Sequence, residues 1–290
     1  MIDNTLSNTK DRDNLVSYVM KLLVEVNDDI ILSYFNNLKS DDISTKTNDD
    51  DFVTIADKKS EEFISNKLLG YLNINKFIGE ETSYTNENYI ADPMNEPFLW
   101  IIDPIDGTKN FLKGNNNFCS MVSIVSFGNP IATFIYQPLK REMTYAIKGF
   151  GSYLINVDDL TKSQLIIDLS KNDKILGSGG TKGIPDIHRS RIMNNLRSNT
   201  VRLFIGSAGI ETVMLAKNQI QFIFHGRVTP WDHSPVDLIT KEAGGVVFMA
   251  RNKKLFNIQS EGPIIAASNL KIWNNIREIA IPINDPYMLI

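Results

Sequence analysis

Between Lys76 and Asn156 the chain runs through six short β-rich segments, "KFIG", "FLWII", "FCSMVSIVSF", "IATFIYQP", "EMTYAI" and "SYLI", parted by Gly, Pro and Asn turns. A parallel return needs about a dozen residues, so most of these segments must pair antiparallel with their neighbours. The stretches ahead of them are helical in period. Leu15, Val16, Val19, Leu22, Leu23, Val26, Ile30 and Phe35 predict one long amphipathic helix over 13–39, packed on another element. A polar, acidic connection, "KSDDISTKTNDDD", follows and reads as solvated loop. A second helix is expected from about Ala56 to Leu69, with Phe63, Ile64, Leu68 and Leu69 on one face and Gly70 near its end.

From about residue 160 the pattern alternates. "KILGS", "VRLFI", "QFIF", "GVVFM" and "IIAAS" read as strands, with helices near 187–196, 208–217, 233–243 and 269–280. The picture is α+β, with one sheet in each of two lobes: 1–155, carrying most of the candidate ligands, and 156–290. A length of 290 residues suits two modest lobes sharing a core. Formal net charge is −4, which gives no basic footprint for nucleic acid. Cys119 is the only cysteine, so neither an internal disulfide nor a multi-thiolate metal site is available, and a reducing, cytoplasmic setting is expected. "MIDNTLSNTKDRDN" lacks the basic start and apolar core of a signal peptide, and no apolar run approaches the ~18 residues of a membrane span.

An anionic ligand of such a chain needs a local solution, and "WIIDPIDGTKNF" offers one. Asp103 and Asp106 flank Pro104, which stiffens the turn and removes a backbone donor, leaving carbonyls such as that of Ile105 free to face a cation. Two carboxylates held this close repel unless something positive lies between them, and Mg²⁺ suits carboxylates plus a substrate phosphate. An Asx-type turn explains a lone Asp-Pro-x-Asp equally well. Gly107 and Thr108 favour the cation, because a glycine lets the backbone approach a ligand and "GTKNFLKG" can open a short helix with free N–H groups for phosphate. Glu80 and Glu81 follow the strand "FIG" at a sheet mouth, where a solvated loop entry is the plain alternative. Asp232 sits at the start of the helix in "TPWDHSPVDLITKEAGG", where N-capping alone also accounts for it.

The two long motifs, together with "DFVTIAD", "FIGEE" and "GSAGIE" in that order, resemble the inositol monophosphatase family of Mg²⁺-dependent, lithium-sensitive phosphomonoesterases over roughly residues 15–280. The resemblance implies a layered αβαβα sugar-phosphatase-type fold with two sheets and flanking helices. It implies that Glu80, Asp103, Asp106, Asp232 and the Ile105 carbonyl hold two or three Mg²⁺ ions, with Asp103 bridging. It assigns Thr108 and Glu80 to orienting and deprotonating the attacking water, and Asp57 to holding the Thr108 hydroxyl. Phosphate would meet the Gly107 and Thr108 N–H groups, and the substrate side would include Asp106, Asp232 and the small residues Gly206, Ser207 and Ala208, which could equally serve close helix packing. Lys46 matches a lysine that the family carries near its metals.

Two letters depart from the inositol branch. Lys109 replaces its usual Thr and resembles relatives acting on histidinol phosphate or 3',5'-bisphosphate nucleotides, and His225 stands where that branch has a Glu that reads ring hydroxyls. His225 is expected to donate to the substrate alcohol or to be a satisfied histidine at a strand end. The function expected is hydrolysis of a small phosphorylated alcohol, most directly inositol monophosphate, by a homodimer. The alternatives are a histidinol-phosphate phosphatase, a 3'(2'),5'-bisphosphate nucleotidase, and a catalytically silent metal-binding regulator.

Overall fold

The computed structural model describes residues 6, 8–45, 52–85, 90–168 and 175–288. Helix α1 (Thr9–Val26) begins at Asn8, whose side chain accepts from the Lys10 N–H, and buries Leu15, Val16, Val19, Leu22, Leu23 and Val26 along one face. The single helix expected over 13–39 is interrupted: a π-helical turn spans Asn27–Ile31, and one last α turn, Leu32–Tyr34, ends it. Part of the connection expected to be solvated is instead an antiparallel pair, β1 (Ile43–Thr45) with β2 (Phe52–Thr54), while Lys46 lies outside the described residues. Helix α2 (Ile55–Leu68) opens with a capping box between Thr54 and Asp57. Strand β3 (Phe77–Gly79) leads straight into α3 (Glu80–Thr85).

Strand β4 (Leu99–Asp106) is buried throughout and carries the Asp-Pro-Ile-Asp run inside the sheet, not just beyond it as the sequence suggested. The short α4 (Thr108–Leu112) follows. Strands β5 (Cys119–Ser126), β6 (Asn129–Gln137), β7 (Glu142–Ile147), β8 (Ser152–Asn156) and β9 (Lys162–Leu165) complete a sheet in which β3 to β9 lie side by side in chain order. Pairing is antiparallel except for β3 on β4, whose longer connection permits a parallel return. The boundary expected at 155/156 falls inside β8, and the first sheet continues to Leu165. A division by sheet therefore lies after Leu165.

The second sheet begins with β10 (Leu176–Gly180), followed by α5 (Asp186–Asn199), β11 (Val201–Arg202), α6 (Ala208–Ala216), β12 (Phe222–His225), α7 (Pro230–Glu242), β13 (Val246–Met249), β14 (Ile264–Ala267) and α8 (Leu270–Ala280). Its strand order is β11-β10-β12-β14-β13, with β10 parallel to both neighbours. Of the strand expected from "VRLFI", only Val201 and Arg202 pair.

The buried clusters define the layers. Helices α1 and α2 bury Leu23, Val26, Ile64 and Leu68 against Trp100, Ile102, Val122 and Phe134 on one face of the first sheet. Its other face, with Cys119, Met121 and Ile135, meets Ile210 and Val213 of α6 and Leu238 and Ile239 of α7. Helices α6 and α7 turn Leu215 and Val236 to Ile223, Val247 and Ile264 of the second sheet. Beyond that sheet, Ile192, Leu196, Trp273 and Ile276 of α5 and α8 close the stack. The order αβαβα places α6 and α7 between both sheets, each buried aliphatic side chain contributing about 1.5–3 kcal/mol.

One irregularity shapes the site. In the β4–β5 ladder Asp103 opposes Met121 and Asp106 opposes Cys119, so three steps on β4 match two on β5. In a regular strand residues three apart face opposite ways, and the extra residue of the bulge brings both carboxylates to one side. A buried chain of hydrogen bonds holds it: Asn27 Nδ2 donates to Leu23 O (2.8 Å) and Ser120 Oγ (2.9 Å), and Ser120 Oγ donates to Pro104 O at 2.7 Å. Removing the Ser120 hydroxyl leaves the buried Pro104 carbonyl without its donor. Ser120→Ala should lower stability in urea unfolding by about 1–2 kcal/mol, and a change below about 0.3 kcal/mol would show that the chain does not hold the bulge.

Candidate active site

Asp103 and Asp106 from the β4 bulge meet Asp232 from the first turn of α7, and one carboxylate oxygen from each lies within 4.8 Å of the others. The α7 helix starts at Pro230 and is capped by Thr229, whose hydroxyl accepts from the Asp232 N–H, so Asp232 is not the N-cap. Its carboxylate is released from capping and faces the other two acids. Glu80, at the start of α3, lines the same cavity of about 510 Å³, together with Ile105, Gly107 and Thr108. Glu61 of α2 fixes where α3 begins, its carboxylate accepting from the Glu81 N–H (2.7 Å) and the Thr82 N–H (2.8 Å). Gly79 makes room, because a Cβ there would lie 2.4 Å from the Glu61 carboxylate. Nothing local to Glu61 marks this role, since it reads as one charge among several on a helix.

Asp106 is pinned from across the molecule. Its carboxylate accepts from Ser207 Oγ (2.5 Å), Gly209 N (2.7 Å) and Ala208 N (3.2 Å) at the start of α6. The donors of Ser207 and Ala208, expected to serve substrate, are thus spent on an acid, although Gly206, Ser207 and Ala208 all line the cavity. Burial first, and the charge of Asp232 second, push the Asp106 carboxyl up to about 7, against the lowering effect of those three hydrogen bonds. Cys119 sits beside it at 3.6 Å, where burial and the Asp106 charge push its thiol up and keep it a neutral packing group. Buried, mutually repelling oxygen donors of this kind fit a hard divalent cation and do not fit a soft one. Asp103, Asp106, Asp232, Glu80 and the Ile105 carbonyl are the residues that could hold it.

Gly107 has φ +93, and a Cβ there would fall 2.7 Å from Asn117 O, so only glycine fits the turn into α4. Thr108 Oγ1 donates to Ile105 O (3.2 Å) and faces Asp57 Oδ1 at 3.5 Å. The other Asp57 oxygen accepts from Thr54 N (2.8 Å) and Thr54 Oγ1 (2.5 Å), which orients the carboxylate. Asn110, quoted within the motif but given no role by sequence reasoning, ties α4 to the substrate-side segment by donating to Asn117 O (2.7 Å) and Ile205 O (2.9 Å).

His225 lines the cavity, yet both ring nitrogens are engaged inside the protein. Nε2 meets Glu211 Oε2 at 2.7 Å, and Nδ1 meets His233 Nε2 at 3.0 Å. Ser178 Oγ donates to the other Glu211 oxygen at 2.7 Å. Burial works to lower the His225 pKa, but the charge and hydrogen bond of Glu211 raise it on balance. His233, buried and facing His225, is held well below the ordinary imidazole range. Of the two expectations for His225, this arrangement is the satisfied histidine. Glu211 was overlooked because a lone acid in the first turn of an apolar helix reads as solvent-facing, whereas it is buried.

The raised Asp106 carboxyl has a sign that can be checked. In metal-free protein the folded state binds the proton more tightly than the unfolded state, so this group's contribution to stability falls as pH rises from about 4 to about 7. Urea unfolding without metal should show a loss of about 3 kcal/mol over that window, absent from Asp106→Asn and reversed by Mg²⁺ at pH 7. An Asp106→Asn protein with the same pH slope would exclude Asp106 as its source.

The profile of the Inositol monophosphatase family matches residues 12–280. Inositol monophosphatase 1 of Solanum lycopersicum is 32% identical over 220 residues, covering 76% of this chain and 78% of its own. Fructose-1,6-bisphosphatase/inositol-1-monophosphatase of Aquifex aeolicus is 28% identical, covering 81% of this chain and 86% of its own. The solved IMPase of Thermotoga maritima shares the fold with a TM-score of 0.77 at 22% identity, covering 92% of this chain and 96% of its own. This chain therefore belongs to the inositol monophosphatase family and is a phosphoric monoester hydrolase.

Proposed function

We propose that the protein hydrolyses a small phosphorylated alcohol with Mg²⁺ as cofactor, two or three ions being held by Glu80, Asp103, Asp106, Asp232 and the Ile105 carbonyl. The observation that carries this reading is the convergence of Asp103, Asp106 and Asp232 within 4.8 Å in the cavity that Gly107 and Thr108 line. Mg²⁺, when bound, supplies positive charge that neutralises phosphoryl oxygens and eases deprotonation of the attacking water. The chain's own groups do the positioning. Thr108 Oγ1 gives its proton to Ile105 O or Asp57 and keeps lone pairs with which to accept from water. Glu80 is the base in this reading, with Asp57 acting through Thr108. The Gly107–Thr108 turn lets phosphate approach the backbone, and its acids lie beside it, so attack and charge relief share one place.

Inositol monophosphate is the reference substrate, supported by the family and by the motif resemblance. Histidinol phosphate and 3',5'-bisphosphate nucleotides follow, because of Lys109. The presence of Glu80, Asp103, Asp106, Thr108 and Asp232 in one cavity argues against a catalytically silent regulator. A homodimer and a cytoplasmic setting belong to the same reading and are supported by resemblance and by the lone cysteine. No helix among the described residues is long and apolar enough to cross a membrane.

Phosphate release from inositol 1-phosphate should require Mg²⁺, stop with EDTA, and fall at least about 100-fold in kcat/KM in Asp103→Asn. Thr108→Ala should lose about 10²-fold in kcat with little change in KM, while Thr108→Ser keeps most of the rate. Turnover that survives both EDTA and Asp103→Asn would overturn the mechanism.

A further inference from the structure

The far wall of the cavity carries charge of the opposite sign to its floor. Lys182 and Arg227 line it, and Lys109 and Lys113 line the α4 side. Lys182 belongs to the loop after β10 and Arg227 to the loop after β12. These loops are adjacent because Gly180 and His225 are register partners in parallel strands, and the Gly226 N–H donates to Gly180 O at 2.9 Å.

Three glycines let them pack. A Cβ at Gly226 would lie 2.7 Å from Lys182 O, one at Gly183 2.5 Å from the Arg227 Cβ, and one at Gly179 2.1 Å from Phe224 O. The glycine-rich stretch "GSGGTKG" is thereby explained as a close approach of two loops, each presenting a cation. Arg202 of β11 braces the first loop from outside the cavity lining, its guanidinium donating to Gly179 O while its Nε and Nη1 are buried with no hydrogen-bond partner among the described residues.

The same wall is poorly equipped to read neutral hydroxyls. The Glu211 oxygens are taken by Ser178 and His225, and both His225 nitrogens are taken by Glu211 and His233. Arg227 is exposed and makes no hydrogen bond or ion pair with a described residue. Like charges held together are relieved by an anion between them, and a guanidinium fork matches phosphate or carboxylate in two contacts.

We propose that Lys182 and Arg227 form a cationic subsite for a second anionic group on the substrate, so that this enzyme prefers phosphorylated polyols bearing a second phosphate or a carboxylate over neutral polyol monophosphates. The proposal rests on the phosphomonoesterase reading above and adds what the alcohol must carry. A cavity of about 510 Å³ lies within the size range of small-molecule sites, so both ends of one ligand can be accommodated.

The test compares hexitol 1-phosphate, hexitol 1,6-bisphosphate and a 6-phosphohexonate on the full chain with Mg²⁺. The better of the two doubly anionic compounds should exceed the monophosphate at least tenfold in kcat/KM, and which one does so identifies the second anion. The selectivity ratio should fall to about threefold or less in the Lys182→Gln/Arg227→Gln double variant and fall further in Arg227→Glu, and it should shrink with added NaCl. Calorimetric binding of the same compounds to Thr108→Ala protein should show the same order without turnover. A ratio near one in the unmodified enzyme, or a ratio unmoved by the double variant, overturns the subsite. Absence of turnover on every compound would instead count against the phosphomonoesterase reading, and the binding order would then decide the subsite by itself.

Discussion

Repulsion among buried carboxylates is the constraint on which the site depends. Asp103 and Asp106 are almost wholly buried and Asp232 is partly buried, an arrangement that costs free energy in a chain without a cation. The protein offsets part of that cost by giving Asp106 two backbone N–H groups and a hydroxyl at the head of α6. That leaves Asp103, Asp232 and Glu80 to share the remaining charge with whatever binds. The start of α6 therefore serves the ligand set first, and the substrate meets the surface that remains.

The layering explains why no half of the chain could make this site. Asp103 and Asp106 ride on the first sheet, whereas Asp232 and the donors to Asp106 belong to α6 and α7, which are covered by both sheets. A shift of either helix against the first sheet would separate the acids and unpair Asp106 together. The π-helical turn at Asn27 belongs to the same scheme, since it lies at the point where α1 reaches Ser120 and through it the β4 bulge. Outer helices, middle strand and central helices thus meet in one set of distances.

Much of this was legible from residue types and spacing. Most strands of the two large sheets, the main helices and the candidate ligands were readable because period, turn residues and a rigid Asp-Pro-Ile-Asp run are local properties. Reading failed where a local feature had a distant partner. The "KSDDISTKTNDDD" run looked like solvent-facing loop, yet its first part pairs with β2. N-capping was the plain alternative for Asp232, and Thr229 holds that position instead. Gly206, Ser207 and Ala208 line the cavity as expected, yet the Ser207 hydroxyl and the Ala208 N–H face an aspartate about a hundred residues earlier.

The sequence by itself determined the chemistry available: hard oxygen donors, a glycine turn, a threonine hydroxyl and no thiolate set. It determined the family as well, because motif order survives in one dimension. Only the tertiary structure decided which of these groups meet and which are already satisfied. A bulge, a helix head and a loop–loop contact set that outcome, through hydrogen bonds between residues distant in the chain. His225 shows the difference most clearly: its letter left open a donor to substrate or a satisfied histidine, and the packing of α6 and α7 around β12 gave both of its nitrogens to Glu211 and His233. Local patterns do not encode that result, because the partners of a buried polar group depend on which surfaces pack together.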